Sequence, residues 1–264
     1  MSSNYNNPYA SSPYPNSAYP NNADAANTYN PPPDQDPYNN AYAQNLTLVQ
    51  SNVLNQTYTW MTGGLCLTAV IAFAVSQSSI IYNINLIVWF GLIIAELALV
   101  AIISAAINRL SPTVATILFL AYAALNGVTL SFIFLAYTST SITAAFFVTA
   151  GMFGITSLYG YTTKRDLTGI GSMAIMALIG LILASIVNMF LASSGLYWLI
   201  TYAGVIIFVA LTAYDTQKIK RWSQSVAPND ATTIQRLGIL GALTLYLDFI
   251  NLFLFILRIM GRRR

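Results

Sequence analysis

Two aspartates stand inside otherwise apolar segments of this sequence. Asp215 lies in Ala213-Tyr214-Asp215-Thr216-Gln217-Lys218, and Asp248 in Leu245-Tyr246-Leu247-Asp248-Phe249-Ile250-Asn251. A carboxylate in hydrocarbon is costly, so each marks a functional site by default. Two carboxylates in one low-dielectric site cannot both ionise cheaply; they share a proton and titrate as a unit. Doubly ionised, such a pair attracts a hard cation such as Ca²⁺, which prefers oxygen ligands, so Asp215 and Asp248 are candidate Ca²⁺ ligands as well as candidate proton sensors. The chain contains no histidine. That removes Ser-His and Cys-His chemistry together with the usual near-neutral proton switch, and leaves the aspartates as the pH-responsive groups. Arg109, at the end of the second apolar run, can pair with an aspartate as a charge-dependent latch.

The polar residues around them fall on helical faces. Gly241, Thr244, Asp248, Asn251 and Arg258 recur at spacings that place them on one side of a helix. A polar stripe on an apolar helix faces the bundle interior, because lipid cannot satisfy it. Gly204, Thr212 and Asp215 form a comparable face; Tyr122, Asn126 and Thr129 another; Ser185 and Asn188 a fourth. Glu96 sits in the middle of the second run. These residues either line a central polar path or serve as interhelical hydrogen-bond glue, a common use of Asn, Ser and Thr in membranes. Asp166 follows Lys164 and Arg165 in a loop and reads as a solvated ion pair. Cys66 stands alone, so it makes no internal disulfide and reads as packing.

The elements that carry these residues are set by composition. Hydrophobic residues make up 56% of the 264, and charged residues only 7%, far below the roughly 25% of soluble domains. Seven apolar runs follow one another, at residues 58–76, 84–107, 113–137, 142–161, 169–192, 196–214 and 237–259, each near the roughly 20 residues that a spanning helix needs. The expected fold is an all-α membrane protein over residues 58–259. Gly63, Gly64, Gly127, Gly151, Gly154, Gly180, Gly204 and Gly241 are expected to let its helices approach closely. Asp215 at a span end and Asp248 in mid-span predict an offset along the membrane normal. Contact between them then requires a tilted or sunken seventh helix.

Residues 1–45 are rich in Tyr, Asn and Pro. They hold too little apolar surface to offset ordering entropy and read as a disordered tail, joined by a linker at 46–57. The tail is either a solvated extension or a sticky element for a partner. Arg109, the pair Lys164 and Arg165, and the group Lys218, Lys220, Arg221 and Arg236 occupy alternate loops, while the intervening loops carry no Lys or Arg. The positive-inside rule puts those loops and the N-terminal tail in the cytoplasm of a multi-pass protein of the cell membrane. Arg262, Arg263 and Arg264, in a basic terminus at 260–264, oppose that rule if the seventh run crosses fully.

Four segments resemble the Bax inhibitor family, in particular its bacterial YccA-like branch, over residues 57–261. They are Met61-Thr62-Gly63-Gly64-Leu65, Gly160-Tyr161-Thr162-Thr163-Lys164-Arg165-Asp166-Leu167, the stretch Phe208–Lys220 around Tyr214-Asp215-Thr216-Gln217, and Leu245–Phe253. The resemblance implies a seven-helix bundle with the seventh helix central. It also implies a pH-sensitive calcium leak whose proton sensor matches Asp215 and Asp248, with Arg109 matching the latching arginine by position and Glu96 a second-helix acidic position. The YccA-like branch further implies a membrane-bound AAA quality-control protease as partner, for which a non-conducting adaptor is the alternative function.

An intramembrane aspartyl protease is the rival from another class, since Tyr214-Asp215 invites that comparison. Its Gly-x-Gly-Asp and Pro-Ala-Leu motifs are missing, and Leu245-Tyr246-Leu247-Asp248 stands where the first would be. The expectation is therefore not an enzyme and no cofactor, with Ca²⁺ as the permeant ion and the lipid bilayer as the constant partner. No basic stripe or zinc spacing points to nucleic acid.

Overall fold

The computed structural model describes residues 37–79 and 85–262, with side chains from Thr47 onward. Eight helices account for nearly all of them: α1 (Pro37–Ser76), α2 (Leu86–Ala106), α3 (Pro112–Leu130), α4 (Ile133–Ala136), α5 (Ser139–Thr162), α6 (Thr168–Leu191), α7 (Ser194–Gln224) and α8 (Ala231–Met260). The one-turn α4 continues α3 into a single span, so seven are long and apolar enough to cross a membrane. The chain is an all-α, seven-span bundle, as the apolar runs predict. Residues 42–262 belong to one compact unit, and of the chain before them only the helical backbone of residues 37–41 is described.

Helix is the only open structure whose backbone bonds close within one segment, which lipid demands. The ends are fixed by short polar side chains. Ser111 Oγ accepts from the Val114 N–H at 3.3 Å ahead of Pro112 in the first turn, and Asp230 Oδ1 accepts from the Thr233 N–H at 2.9 Å. α6 stops at Ala192, the one non-glycine with a left-handed backbone (φ 49°) among the described residues.

Two boundaries differ from the expectation. The first helix begins at Pro37, so residues 37–45 of the expected tail and the whole of the expected linker are helical. Pro37 preorganises a first helical turn, and no Gly or Pro interrupts the chain before Gly63. The remainder of the tail lies outside the described residues. The sixth span is also longer: α7 runs to Gln224, ten residues past Tyr214.

The seventh span is central. In the most apolar stretch of α8, 67% of residues are buried, against 6% in α2 and 11% in α6. α8 packs on α2, α3, α5 and α7. It touches α1 as well, where Thr57 Oγ1 donates to Gly238 O at 3.3 Å. The poorly buried helices carry the exposed apolar surface, including Ile87, Ile94, Met189 and Phe190; this is the lipid-facing belt. Of the eight glycines expected at helix contacts, Gly64, Gly127, Gly204 and Gly241 do abut a neighbour, while Gly63, Gly151, Gly154 and Gly180 face open space.

The basic loops share one end of the bundle. Arg236 Nε donates to Leu110 O at 2.7 Å and joins the sixth loop to the second. Lys220 Nζ donates to Tyr161 O at 2.8 Å and joins α7 to the end of α5. At the opposite end the Thr138 N–H donates to Arg262 O (3.2 Å), and the Arg262 N–H to Ser141 Oγ (3.0 Å). α8 therefore crosses the whole bundle and leaves Arg262 on the far side from Arg109, against the loop-charge rule.

Candidate functional site: a buried aspartate pair

Asp215 and Asp248 both point into the bundle, exposed by only 8% and 4%. Their levels follow from the packing of α7 against α8. A Cβ at Gly241 would lie 3.2 Å from Ile219 Cδ1, so those two positions are level. Counting seven residues along each antiparallel helix brings Asp248 level with Thr212, about 4.5 Å in height from Asp215 at 1.5 Å per residue. The offset expected from sequence shrinks to about 4.5 Å because α7 extends well past Asp215 and α8 begins early, at Ala231. The Asp215 carboxylate lies close enough for its charge to act on Asp248, although among the described residues no hydrogen bond joins them.

Each aspartate is left in a different state of satisfaction. Lys218 Nζ lies 3.7 Å from Asp215 Oδ1, one helical turn on. Its ammonium also sits over the rings of Tyr214 (5.6 Å) and Trp222 (4.9 Å). Asp248 Oδ2, in contrast, is fully buried with no hydrogen-bond partner, alone in this among the described side chains. A buried acceptor in that condition calls for a proton, a cation or water.

Close backbone contacts frame the turn that carries Asp215. Gly160 of α5 presses on the backbone of Ala213, and Gly171 of α6 lies beneath the Tyr214 ring; a Cβ at either would collide. Beside it, Ser157 Oγ lies 3.0 Å from Thr216 Oγ1 and also bonds the Tyr58 hydroxyl, which ties α1, α5 and α7 together. Gln217 fixes the loop after α5, with Nε2 donating to Arg165 O (2.7 Å) and Oε1 accepting from the Leu167 N–H (2.9 Å).

The other expected residues separate from the pair. Arg109 is exposed and makes no ion pair among the described residues; Lys218 holds the cation position beside Asp215. No latch is formed in this arrangement: α2 ends at Ala106 and Arg109 lies in the turn beyond it. Glu96 accepts from Thr129 Oγ1 at 2.8 Å. Asn126 accepts from the Tyr246 hydroxyl at 3.2 Å, and that hydroxyl also meets Thr68 Oγ1 at 2.6 Å. These form a second polar cluster on α1, α2, α3 and the other side of α8. Thr244 and Asn251 are half-buried and bond back to their own helix, at Leu240 O and Leu247 O. Asn188 does not line a central path: its Oδ1 accepts from the Ser193 N–H and closes the end of α6, because α6 is peripheral. Asp166 does pair, with Arg221. The hydroxyl and N–H of Thr168, then Arg221, hold its carboxyl well below the ordinary carboxylate range.

Sequence reasoning passed over Lys218, Ser157, Thr216, Gln217 and Tyr246. Lys218 was legible as the i+3 partner of Asp215. Tyr246 was not, since a buried tyrosine in an apolar run gives no sign of which helix its hydroxyl meets.

The family model described as inhibitor of apoptosis-promoting Bax1 matches residues 50–264. The inner membrane protein YbhL of Escherichia coli is 56% identical over 212 residues, covering 79% of this chain and 91% of that one. Uncharacterized proteins of Borreliella burgdorferi (46% identity, 82% of this chain and 94% of that one) and Rickettsia prowazekii (45%, 79% and 89%) are similar over the same core. A match across four fifths of the chain, on a bundle with seven spans, makes this chain an integral membrane member of the Bax inhibitor family.

Proposed function

We propose that this protein is a proton-sensitive cation leak in the cell membrane, with Ca²⁺ as the permeant ion and Asp215 and Asp248 as its gate. The observation that carries the reading is the unpartnered, fully buried Oδ2 of Asp248 beside a second buried carboxylate. With one proton shared, the pair bears a single charge that Lys218 balances from 3.7 Å, and the path is closed. As pH rises the second proton leaves, and two carboxylates in a low-dielectric site then require a cation between or beside them. Ca²⁺ takes six to eight oxygens, so two carboxylates leave the rest of the shell to water and carbonyls; this suits an ion in transit. The positive-inside rule supports a cytoplasmic position for that end of the bundle and for the chain's N-terminal side.

The test is calcium-dye flux into liposomes holding the purified protein, titrated against pH. Flux should rise with pH, and Asp215→Asn and Asp248→Asn should each abolish that dependence. A wild-type protein that passes no Ca²⁺ at any pH, while still binding a membrane-bound AAA protease, would establish the non-conducting adaptor instead.

A further inference from the structure

Away from the aspartate pair, the basic end of the bundle holds a pocket of about 270 Å³ between the α5–α6 turn and the end of α7. Lys164, Arg165, Lys220 and Arg221 line it, with Asp166 as its only carboxylate. Arg221 is occupied, bound to Asp166 and, at 2.8 Å, to the Thr168 hydroxyl. Among the described residues, Lys220 meets the Tyr161 carbonyl and ring and no carboxylate. Lys164 and Arg165 are exposed and have no carboxylate partner among the described residues. Four cations against one anion leave three positive charges unbalanced around one concavity.

The pocket is also built rather than loose. Gln217 holds both sides of the turn, at Arg165 O and the Leu167 N–H, so the cations project from a fixed backbone. Its height is that of the lipid boundary. Tyr159 and Tyr161 in the last turn of α5 and Ile170 in the first turn of α6 are exposed beside it, and tyrosines are favoured where hydrocarbon meets water. A basic pocket between spans at that level suits an anionic headgroup.

We propose that this pocket binds a phosphate-bearing anion, supplied by an acidic phospholipid of the surrounding leaflet. The phosphate oxygens sit among Lys164, Arg165 and Lys220, and the acyl chains lie against the exposed apolar faces of α5 and α6. Arg221 stays with Asp166, whose carboxylate remains ionised through the physiological range, so the pocket keeps its charge whatever the state of the aspartate pair.

Native mass spectrometry of the full-length protein, offered phosphatidylglycerol or phosphatidylcholine, reads this directly. Wild type should retain phosphatidylglycerol preferentially. The double variant Lys164→Gln/Arg165→Gln should lose about tenfold of that preference, as should Lys220→Gln alone to a lesser degree, while Arg262→Gln at the opposite end keeps it. Inorganic phosphate added in competition separates the sources: no displacement assigns the site to the lipid headgroup, and displacement assigns it to phosphate of either origin. Equal retention of the two lipids, or an undiminished preference in both pocket variants, overturns the proposal. The residues changed are surface side chains, and an unaltered melting temperature in detergent verifies that the variants are folded.

Discussion

Replacing Lys218 with methionine isolates the contribution of its charge to the proposed aspartate gate. Methionine keeps much of the aliphatic stem against Tyr214 and Trp222 and removes only the ammonium, 3.7 Å from Asp215 Oδ1. At that separation the attraction is about 4.5 kcal/mol for an effective dielectric of ~20 and about 1 kcal/mol for that of water. The Lys218 side chain is 35% exposed while that of Asp215 is 11% exposed, so water screens one partner and the net effect belongs near the lower figure. About 1 kcal/mol corresponds to roughly 0.7 of a pH unit. The sign is fixed: Lys218 favours the ionised pair, so without it ionisation needs a higher pH. The flux–pH curve of Lys218→Met in calcium-dye liposomes should therefore move upward by about 0.7 of a unit with its shape intact. Lys164→Met, an exposed cation away from the pair, serves as the control and should leave the midpoint in place. A midpoint that stays put in Lys218→Met, moves down, or moves equally in the control refutes the idea that ionisation of Asp215 sets the gate.

Gly160→Val should lower the detergent melting temperature, because the new side chain meets the backbone of Ala213 and overpacking costs about 1–3 kcal/mol; Gly151→Ala, facing open space, should not. Tyr246→Phe leaves Asn126 Oδ1 without its 3.2 Å donor and should cost about 1–3 kcal/mol, seen in the same melt, without shifting the flux midpoint. Asp166 is held below its ordinary value of 3.8, so its contribution is complete above that value and is lost only as pH falls through the lower one. Hydrogen exchange in residues 163–168 should accordingly be equally protected at pH 5 and pH 8 once corrected for intrinsic rates, and loss of protection towards pH 5 counts against the clamp. With Cys66→Ser as background, Thr163→Cys should react with an impermeant thiol reagent only from the cytoplasmic face; labelling from outside reverses the proposed orientation.

Much of the fold was legible because lipid makes a single demand that composition meets openly. Seven long apolar runs give seven spans, and the error at each end comes from a signal that hydropathy does not carry. α7 continues through Lys218, Lys220 and Arg221 to Gln224, since helix needs no apolar side chains once it leaves hydrocarbon. α1 starts at Pro37 for the same reason. The candidate site was half legible. Charge in an apolar run identifies Asp215 and Asp248 with no further information, and the i+3 rule reaches Lys218. Asn188 could not be placed, because a polar residue near a helix end serves equally as a cap or as a pore lining. Arg109 is hard to place from sequence for a related reason: nearness to the same end of the bundle says nothing of distance across it.

The extension of α7 past the hydrocarbon boundary also explains how the pair can exist. Were α7 to stop at Tyr214, no helix would carry Asp215 against its neighbours, and Asp248 would be alone in the bundle. Ten more residues of helix, crossed by α8 from Ala231, bury Asp215 and carry Lys218 to it at the same time. Gly160 and Gly171 then let α5 and α6 close over that turn, and Gln217 fastens the adjoining loop from the next residue but one. Tyr214, Asp215, Thr216 and Gln217 thus make four different contacts within one turn: a ring over Gly171, a carboxylate facing α8, a hydroxyl to Ser157 and an amide to the loop. One turn of α7 thereby touches α5, α6 and the loop between them while its carboxylate faces the bundle interior, the arrangement that the proposed proton gate requires.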